Sequence, residues 1–198
     1  MAARRRKFGA TQKERIFLAV LPDAETAARI HVLAEALKAA HKLAGTLILP
    51  EHLHVTLYHL GDWISLPGDV VAAARAAAAE VAAAPFEVVF DRAGSFRNRT
   101  GVYPFVLTGA DAAWRPLYGS LGAALKRHGL ASIVHDEFTP HITLLRDAAR
   151  LKPAAAGPIA FTVRDFVLVH SLLGKTTHSH LARWPLAAAT CDARVARA

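Results

Sequence analysis

Apolar residues recur along this chain with the period of a strand in some segments and with the period of a helix in others. Short runs that are apolar throughout, or that alternate with polar residues, predict strands at 15–21, 47–49, 53–60, 86–90, 103–107, 132–134, 139–145, 161–173 and 178–184. Apolar residues at every third or fourth position predict helices at 23–41, 67–84 and 112–128. Because strands and helices are interspersed, we expect an α+β fold.

Three stretches show neither period, and we expect them to be irregular: 1–12, 91–101 and 150–158. The first is a charged, flexible N-terminal tail, the second is a loop with three arginines, and the third is a linker of proline, alanine and glycine. The remainder, residues 13–198, is predicted to form a single bilobal domain, since its length is ordinary for one hydrophobic core.

One four-residue pattern occurs once in each half of the chain, as His54-Val55-Thr56-Leu57 and as His141-Ile142-Thr143-Leu144. Each copy lies in a predicted strand, where residues two apart face the same side. The histidine and the threonine of each copy therefore share one face, while the aliphatic residues face the core. The elements around the two copies follow a similar order. This predicts two pseudo-symmetric lobes with antiparallel sheets, a central cleft between them and helices on the outside.

Two imidazoles that face each other across a cleft are suited to acid–base catalysis. With an ordinary pKa of about 6.5, one ring can be protonated while the other is neutral near neutral pH. The protonated ring can give a proton to a leaving oxygen and the neutral ring can take one from water, each contributing typically ~10²–10⁴ in rate. The threonine hydroxyls can hydrogen-bond to a phosphate held between them. A lone histidine on a strand is more often structural, so this prediction depends on both copies.

The composition of the chain indicates what kind of partner it binds and in which cellular compartment it resides. The formal net charge of +8 favours a polyanion such as nucleic acid. The single cysteine, Cys191, excludes an internal disulfide and a cysteine-rich zinc site, and it fits a reducing compartment. No segment has the ~18 consecutive apolar residues of a spanning helix, and the run at 15–21 ends at Pro22 with no signal-peptide cleavage site. We expect a cytoplasmic monomer without a membrane partner.

The chain resembles the 2H phosphoesterase superfamily, and within it the RNA 2′,3′-cyclic phosphodiesterases, also called 2′-5′ RNA ligases. The resemblance covers nearly the whole chain beyond the N-terminal tail. It rests on RIFLAV at 15–20, PEHLHVTL at 50–57 with Leu60-Gly61, FTPHITLLR at 138–146, FVLVHSLL at 166–173 and Trp184-Pro185-Leu186.

The resemblance implies a two-lobed α+β fold and a specific enzymatic activity. It implies an enzyme that hydrolyses 2′,3′-cyclic phosphate ends of RNA or nucleotides to 2′-phosphomonoesters without a metal or cofactor, with a reversible 2′-5′ RNA ligase activity. It assigns His54 as the proton donor and His141 as the proton acceptor. Thr56 and Thr143 would bind the phosphate, and Arg146 would add positive charge. Strand parity places Arg146 on the face opposite His141, so its participation requires a bulge or a strand end.

Two pairs of histidines have the spacing of metal ligands on a strand, namely His52 with His54 and His178 with His180. Neither pair is accompanied by a cysteine or a carboxylate in a ligand pattern, and we expect no metal site. We expect His178 and His180 at the rim of the cleft or on the surface. His178 also departs from the family, which often has tyrosine there, so substrate preference is expected to differ.

Other interpretations remain open at this stage. The predicted loop with Arg92, Arg97 and Arg99 suits single-stranded RNA, and it equally suits an ordinary solvated loop. Within the same superfamily, the chain could open ADP-ribose 1″,2″-cyclic phosphate or cleave 2′-5′ oligonucleotides. From a different class, it could be an RNA-end binding module with weak turnover. Intact histidines in both motifs favour an enzyme, because a binder needs no pair of proton carriers.

Overall fold

The structure is a computed structural model and describes residues 13–175 and 177–187. The predicted N-terminal tail and Cys191 lie outside the described residues. The strands are β1 (Glu14–Val20), β2 (Val55–Trp63), β3 (Phe86–Ser95), β4 (Tyr103–Gly109), β5 (His141–Asp147), β6 (Ala154–Val163), β7 (Asp165–Leu172) and β8 (Thr177–Pro185). The α-helices are α1 (Ala24–Ala40), α2 (Gly68–Ala79) and α3 (Arg115–Arg127).

The eight strands form one antiparallel sheet in the order β6-β3-β4-β5-β2-β1-β7-β8. The sheet has two halves of four strands each, and they meet where β2 pairs with β5. In one half α1 connects the adjacent strands β1 and β2, and in the other α3 connects the adjacent strands β4 and β5. The predicted α+β fold with two pseudo-symmetric lobes is confirmed, and the sheets of the two lobes are continuous.

The hydrophobic core explains why the first strand is apolar throughout. Ile16 and Leu18 of β1 are fully buried in the main core, together with residues of all three helices. On the other face of the sheet lies a smaller buried cluster of Phe17, Ala19, Val167 and Val169. Because β1 is covered on both faces, its sequence lacks the alternation of a half-exposed strand. Phe17 of this second cluster also lines a cavity on that face of the sheet.

Several predicted boundaries are wrong, and irregular strand pairing accounts for most of them. The predicted loop at 91–101 begins too early, because β3 continues to Ser95 across a register shift between Phe90 and Arg92. The predicted linker at 150–158 contains the first half of β6. Its register jumps from Ala155, which pairs with Arg92, to Ile159, which pairs with Phe90. The residues between them leave the ladder in an edge strand, where proline is tolerated.

Other predicted elements differ as well, and the predicted strand at 47–49 is reduced to an isolated bridge between Leu47 and Leu145. The predicted strand at 161–173 is two strands, β6 and β7, separated at Arg164. The predicted short strand at 132–134 is a 3-10 turn at Ala131–Ile133. Helix α2 ends at Ala79, five residues before the predicted 84.

Candidate active site

The two histidine motifs meet at the centre of the sheet. Val55 of β2 pairs with Ile142 of β5, and both side chains are 0% exposed. In an antiparallel pair the flanking residues are also opposite one another, so His54 faces Thr143 across the strands and Thr56 faces His141. All four of these side chains lie on the face opposite the buried pair. The strand pairing therefore places each histidine beside the threonine of the other motif.

A cavity of about 760 Å³ lies over this junction. Its lining includes all five residues predicted to form the site: His54, Thr56, His141, Thr143 and Arg146. The other lining residues are Arg15, Phe17, Thr46, Leu47, Ile48, Leu49, His52, His59, Ser171, Leu173 and His178. The volume is within the range of small-molecule sites, and the lining combines apolar walls with a few convergent polar groups.

Each motif histidine is held by the same hydrogen bond. His54 Nδ1 donates to the carbonyl oxygen of His52 at 2.7 Å, and His141 Nδ1 donates to that of Thr139 at 2.8 Å. A carbonyl oxygen can only accept, so the hydrogen of each neutral ring resides on Nδ1. Nε2 is then the nitrogen left to exchange a proton with a ligand. The same tautomer is thus imposed on both rings by the backbone two residues before each histidine.

An aromatic ring also packs against each imidazole. Phe17 lies with its ring centroid 4.9 Å from that of His54, and Phe96 lies 4.8 Å from His141. The two contacts are tilted and edge-on, which are favourable arrangements for aromatic pairs. With Nδ1 bonded and one side of the ring covered, each imidazole has little freedom to rotate.

Burial lowers the pKa of both motif histidines, because removal from water penalises the charged ring. The bond to the backbone carbonyl opposes this shift in each case. The positive charge of Arg146 lowers both pKa values further, and for His54 the imidazoles of His141 and His52 act in the same direction. The empty site therefore disfavours positive charge on the rings, and a bound anion would favour it.

Arg146 reaches the cavity because β5 contains a bulge. Phe105 of β4 pairs with Leu145 while Val106 pairs with Thr143, so Leu144 is an extra residue in β5. Both leucines are buried, and the alternation of faces restarts after them. The sequence alone left open whether a bulge would turn Arg146 inward, and the structure contains that bulge.

A family model described as the 2′-5′ RNA ligase superfamily matches residues 22–175. The chain belongs to the 2′-5′ RNA ligase superfamily. This match confirms the resemblance that the motifs indicated. No curated protein gives a significant match.

Solved structures place this 2′-5′ RNA ligase superfamily member beside bacterial proteins of the same fold. The crystal structure of TT0787 of Thermus thermophilus is 25% identical, with 88% of this chain and 99% of that chain covered and a TM-score of 0.70. The crystal structure of E. coli LigT in complex with ATP is 27% identical, with 88% of this chain and 98% of that chain covered, and it has a TM-score of 0.64. LigT in complex with 3′-AMP is 26% identical over the same shares, with a TM-score of 0.63.

Two basic residues that line the cavity, His59 and Arg15, were not predicted from the sequence. In β2 the register passes from Thr56 opposite Ala19 to Tyr58 opposite Leu18, which leaves Leu57 as an extra residue. The same bulge as in β5 then turns His59 toward the cavity, at the position equivalent to Arg146. The repeat could have been found as His-x-Thr followed three residues later by a basic residue. Arg15 also lines the cavity and donates to both carboxylate oxygens of Asp62 at 2.7 Å.

The members of the two histidine pairs differ in their relation to the cavity. His52 and His178 both line the cavity and contact each other, with ring centroids 4.5 Å apart, whereas His180 is not part of the lining. Within residues 13–175 and 177–187, no group of three or more His, Cys, Asp or Glu side chains is arranged to hold a metal ion. No helix in the described ranges is long and apolar enough to cross a membrane.

The arginines of the predicted loop at 91–101 lie in different structural settings. Arg92 lies in β3, while Arg97 lines a second, smaller cavity of about 460 Å³ that shares Thr56 and His141 with the first. Phe96, which precedes Arg97, provides the contact to the His141 ring. Trp114 and Tyr118 are buried, in keeping with their helical spacing.

Proposed function

We propose that this protein is a phosphodiesterase that hydrolyses 2′,3′-cyclic phosphate ends of RNA to 2′-phosphomonoesters. The observation that carries the proposal is the matched pair of histidines. His54 and His141 come from different halves of the sheet, have the same Nδ1 anchor and line one cavity. Two proton carriers that line one cavity suit a displacement at phosphorus, in which one takes a proton from the attacking oxygen and the other gives a proton to the leaving oxygen.

The proposed reaction uses one histidine at each end of the displacement. Water gives a proton to Nε2 of His141 as its oxygen bonds to phosphorus. The bond between phosphorus and the 3′ oxygen breaks, and that oxygen takes the proton from Nε2 of His54. The product has a 2′-phosphate and a free 3′-hydroxyl. If the 5′-hydroxyl of a second RNA replaces water, the same exchange forms a 2′-5′ phosphodiester, which is the proposed ligase reaction.

Thr56, Thr143 and Arg146 are proposed to bind the phosphate. Each threonine lies opposite the histidine of the other motif, where its hydroxyl can donate to a non-bridging oxygen. Arg146 adds a permanent charge and can donate two parallel hydrogen bonds to phosphate. These groups would stabilise the charge that develops on the phosphoryl oxygens, and no metal ion is required for that role.

The lowered pKa values are compatible with this division of roles. A lowered pKa keeps His141 neutral and able to accept a proton at neutral pH. His54 must be protonated to act as a donor, and its pKa is also lowered in the empty site. A bound cyclic phosphate carries a negative charge, which raises the pKa of a neighbouring imidazole. Substrate binding would thus bring His54 to its active protonation state.

RNA is the proposed partner. The formal net charge is +8, which favours a polyanion, and Arg97 lies beside His141 on the second cavity. Nucleotides are present in the two E. coli LigT complexes described above, as ATP and 3′-AMP, and these support a nucleotide ligand for the present chain.

The test is product analysis with an RNA that ends in a 2′,3′-cyclic phosphate, incubated in EDTA with the wild type, His141→Ala and His180→Ala. We expect a 2′-phosphate product from the wild type and from His180→Ala, whose altered residue lies outside the cavity lining, and almost none from His141→Ala. A 3′-phosphate product would reverse the assignment of the leaving oxygen. Absence of turnover by the wild type would contradict the proposed activity and favour an RNA-end binding module.

A further inference from the structure

His178 of β8 has its ring in the cavity beside the proposed proton donor. Its ring centroid lies 5.7 Å from that of His54, 4.5 Å from His52 and 5.8 Å from Phe17, each in an edge-on arrangement. It comes from the edge strand of the sheet and pairs with Ser171, which also lines the cavity. The side chain thus completes one wall of the cavity on the His54 side.

The ring nitrogens of His178 make no hydrogen bond to any residue within the described part of the chain. Burial lowers the pKa of His178 to about 4, and the neighbouring His54 and His52 act in the same direction. The ring is therefore neutral at neutral pH and offers one N–H donor and one lone pair. A half-buried donor and acceptor with no partner among residues 13–175 and 177–187 can hydrogen-bond to a ligand.

The direction of the substrate follows from the proposed function, on which this inference rests. If His54 protonates the 3′ oxygen, the ribose of the terminal nucleoside lies on the His54 side of the phosphate. The wall on that side contains His178 and Phe17, with Ile48 and Leu49 also in the lining. Flat aromatic and aliphatic side chains are the usual surroundings of an unstacked base.

The chemistry of the ligand decides which part of the nucleoside His178 would bind. In a 2′,3′-cyclic phosphate both secondary ribose oxygens are esterified, so the sugar has no secondary hydroxyl to donate. The edge of a base presents donors and acceptors, and a nitrogen of a neutral imidazole can donate to or accept from one of them. We infer that His178 binds the base of the terminal nucleoside and determines which base is preferred.

The test compares binding of the adenosine, guanosine, cytidine and uridine 2′-monophosphates by calorimetry. The proteins are the wild type, His178→Phe, His178→Gln and His180→Phe. Phenylalanine retains a flat ring without nitrogens, and glutamine retains one donor and one acceptor. His180→Phe is the matched control, because His180 lies two residues along the same strand and outside the cavity lining.

We expect the wild type to bind the four ligands unequally and His178→Phe to weaken the preferred ones by about 3- to 10-fold, as for the loss of one hydrogen bond. His178→Gln should recover part of this preference, and His180→Phe should bind as the wild type does. An equal loss for all four bases, no loss, or no binding by the wild type would overturn the inference. Turnover of the matching 2′,3′-cyclic nucleotides by the wild type tests the proposed function separately.

A positioning effect on His54 has a different signature. If His178 only held the His54 ring, His178→Phe would lower kcat and displace the pH–rate profile while the base preference of binding stayed unchanged. That result would also overturn the assignment to the base.

Discussion

His59 and Arg146 occupy equivalent positions, each five residues after the first histidine of its motif and each turned toward the cavity by a one-residue bulge. Their surroundings differ. His59 Nε2 lies 3.0 Å from Asp62 Oδ1, and Asp62 also accepts two hydrogen bonds from Arg15. Arg146 has no ion pair with a residue of the described ranges, and its charge acts on both motif histidines. The two sides of the pseudo-symmetric cavity therefore differ in charge, and the side with Arg146 is the more positive. This difference is the electrostatic polarity of the cavity.

This polarity predicts that the two basic residues contribute unequally. Arg146→Ala removes a charge that has no ion pair in the described part of the chain, and it should lower kcat/KM by about 10- to 100-fold, as for the loss of a charged hydrogen bond of about 1.5–3 kcal/mol. The matched variant His59→Ala removes a ring whose partner is already satisfied by Arg15, and it should change kcat/KM by less than about 3-fold. Steady-state kinetics on a cyclic nucleotide measures both values. Equal losses would show that the cavity has no such polarity.

The two motif histidines should be required for the chemical step and not for folding. His54→Ala and His141→Ala should each lower kcat by ~10²–10⁴. The double variant should be little worse than either single one, since the two rings act in one displacement. Circular dichroism and thermal melting of the same samples check that the sheet is intact. A folded double variant with an undiminished rate would exclude the two-histidine mechanism.

The pH dependence of kcat/KM should be bell-shaped with its maximum on the acid side of pH 6.5. This parameter reports the free enzyme, in which the pKa values of His54 and His141 are both lowered. The acid must be protonated and the base neutral, so activity falls above the pKa of one ring and below that of the other. The profile of kcat should lie at higher pH, because the bound phosphate raises the pKa of the rings. A profile that is flat between pH 5 and 8 would contradict the assignment.

Arg146→Gln provides the control for that profile. The positive charge of Arg146 lowers the pKa of both rings, so its removal should raise both pKa values and move the whole bell to higher pH. The shift should be partial, since burial is the larger cause for each histidine. An unchanged profile, or movement to lower pH, would contradict the statement that the charge of Arg146 lowers the pKa of these rings.

The positions of the motif residues could be predicted from sequence because they depend on a short-range rule. Strand alternation alone places His54 with Thr56 and His141 with Thr143 on one face, and burial of Val55 and Ile142 confirms the facing of both strands. The family was also recognisable, since its motifs are contiguous. The pairing of β2 with β5 follows from the two motifs only if the lobes are known to be pseudo-symmetric.

The remaining features depend on long-range packing. The bulges at Leu57 and Leu144 cannot be recognised from the sequence. Each is followed by a second large apolar or aromatic residue, and such pairs also occur in regular strands. His178 joins His52 and His54 only through the pairing of β8 with β7 and of β7 with β1. The first half of β6 was missed because its Ala, Gly and Pro residues have low strand propensity, and the edge position tolerates them.

The close approach of Gly45 to Arg146 makes the position of Arg146 in the cavity sensitive to residue 45. A β-carbon at Gly45 would overlap the backbone carbonyl oxygen of Arg146 and press on Leu145. Asp147 fixes this segment, since its carboxylate accepts from the backbone N–H groups of Ala44 and Gly45 at 2.6 and 2.7 Å. Gly45→Ala should therefore lower the melting temperature and also raise KM, by displacing Arg146.

The matched control for that variant is Gly119→Ala. Gly119 lies in α3 with open space where the methyl group of an alanine would project, and alanine favours a helix interior by about 0.5–1 kcal/mol over glycine. Gly119→Ala should raise the melting temperature and leave KM unchanged. If Gly45→Ala behaves like this control, the backbone of Arg146 can shift without consequence for the site.

The lowered pKa of His178 also predicts how stability depends on pH. In the folded protein this pKa is about 4, whereas an unfolded chain has the ordinary value of about 6.5. Between these values the unfolded state binds the proton and the folded state does not, so the free energy of unfolding falls as the pH is lowered from about 6.5 to about 4. His178→Phe removes this contribution, and urea unfolding at pH 7 and pH 5 should show a smaller loss of stability than in the wild type. Above pH 7 the two proteins should respond to pH alike, which separates proton linkage from a change in packing. An identical loss in both proteins between pH 7 and pH 5 would mean that the His178 ring is solvated in solution, which would remove it from the cavity wall.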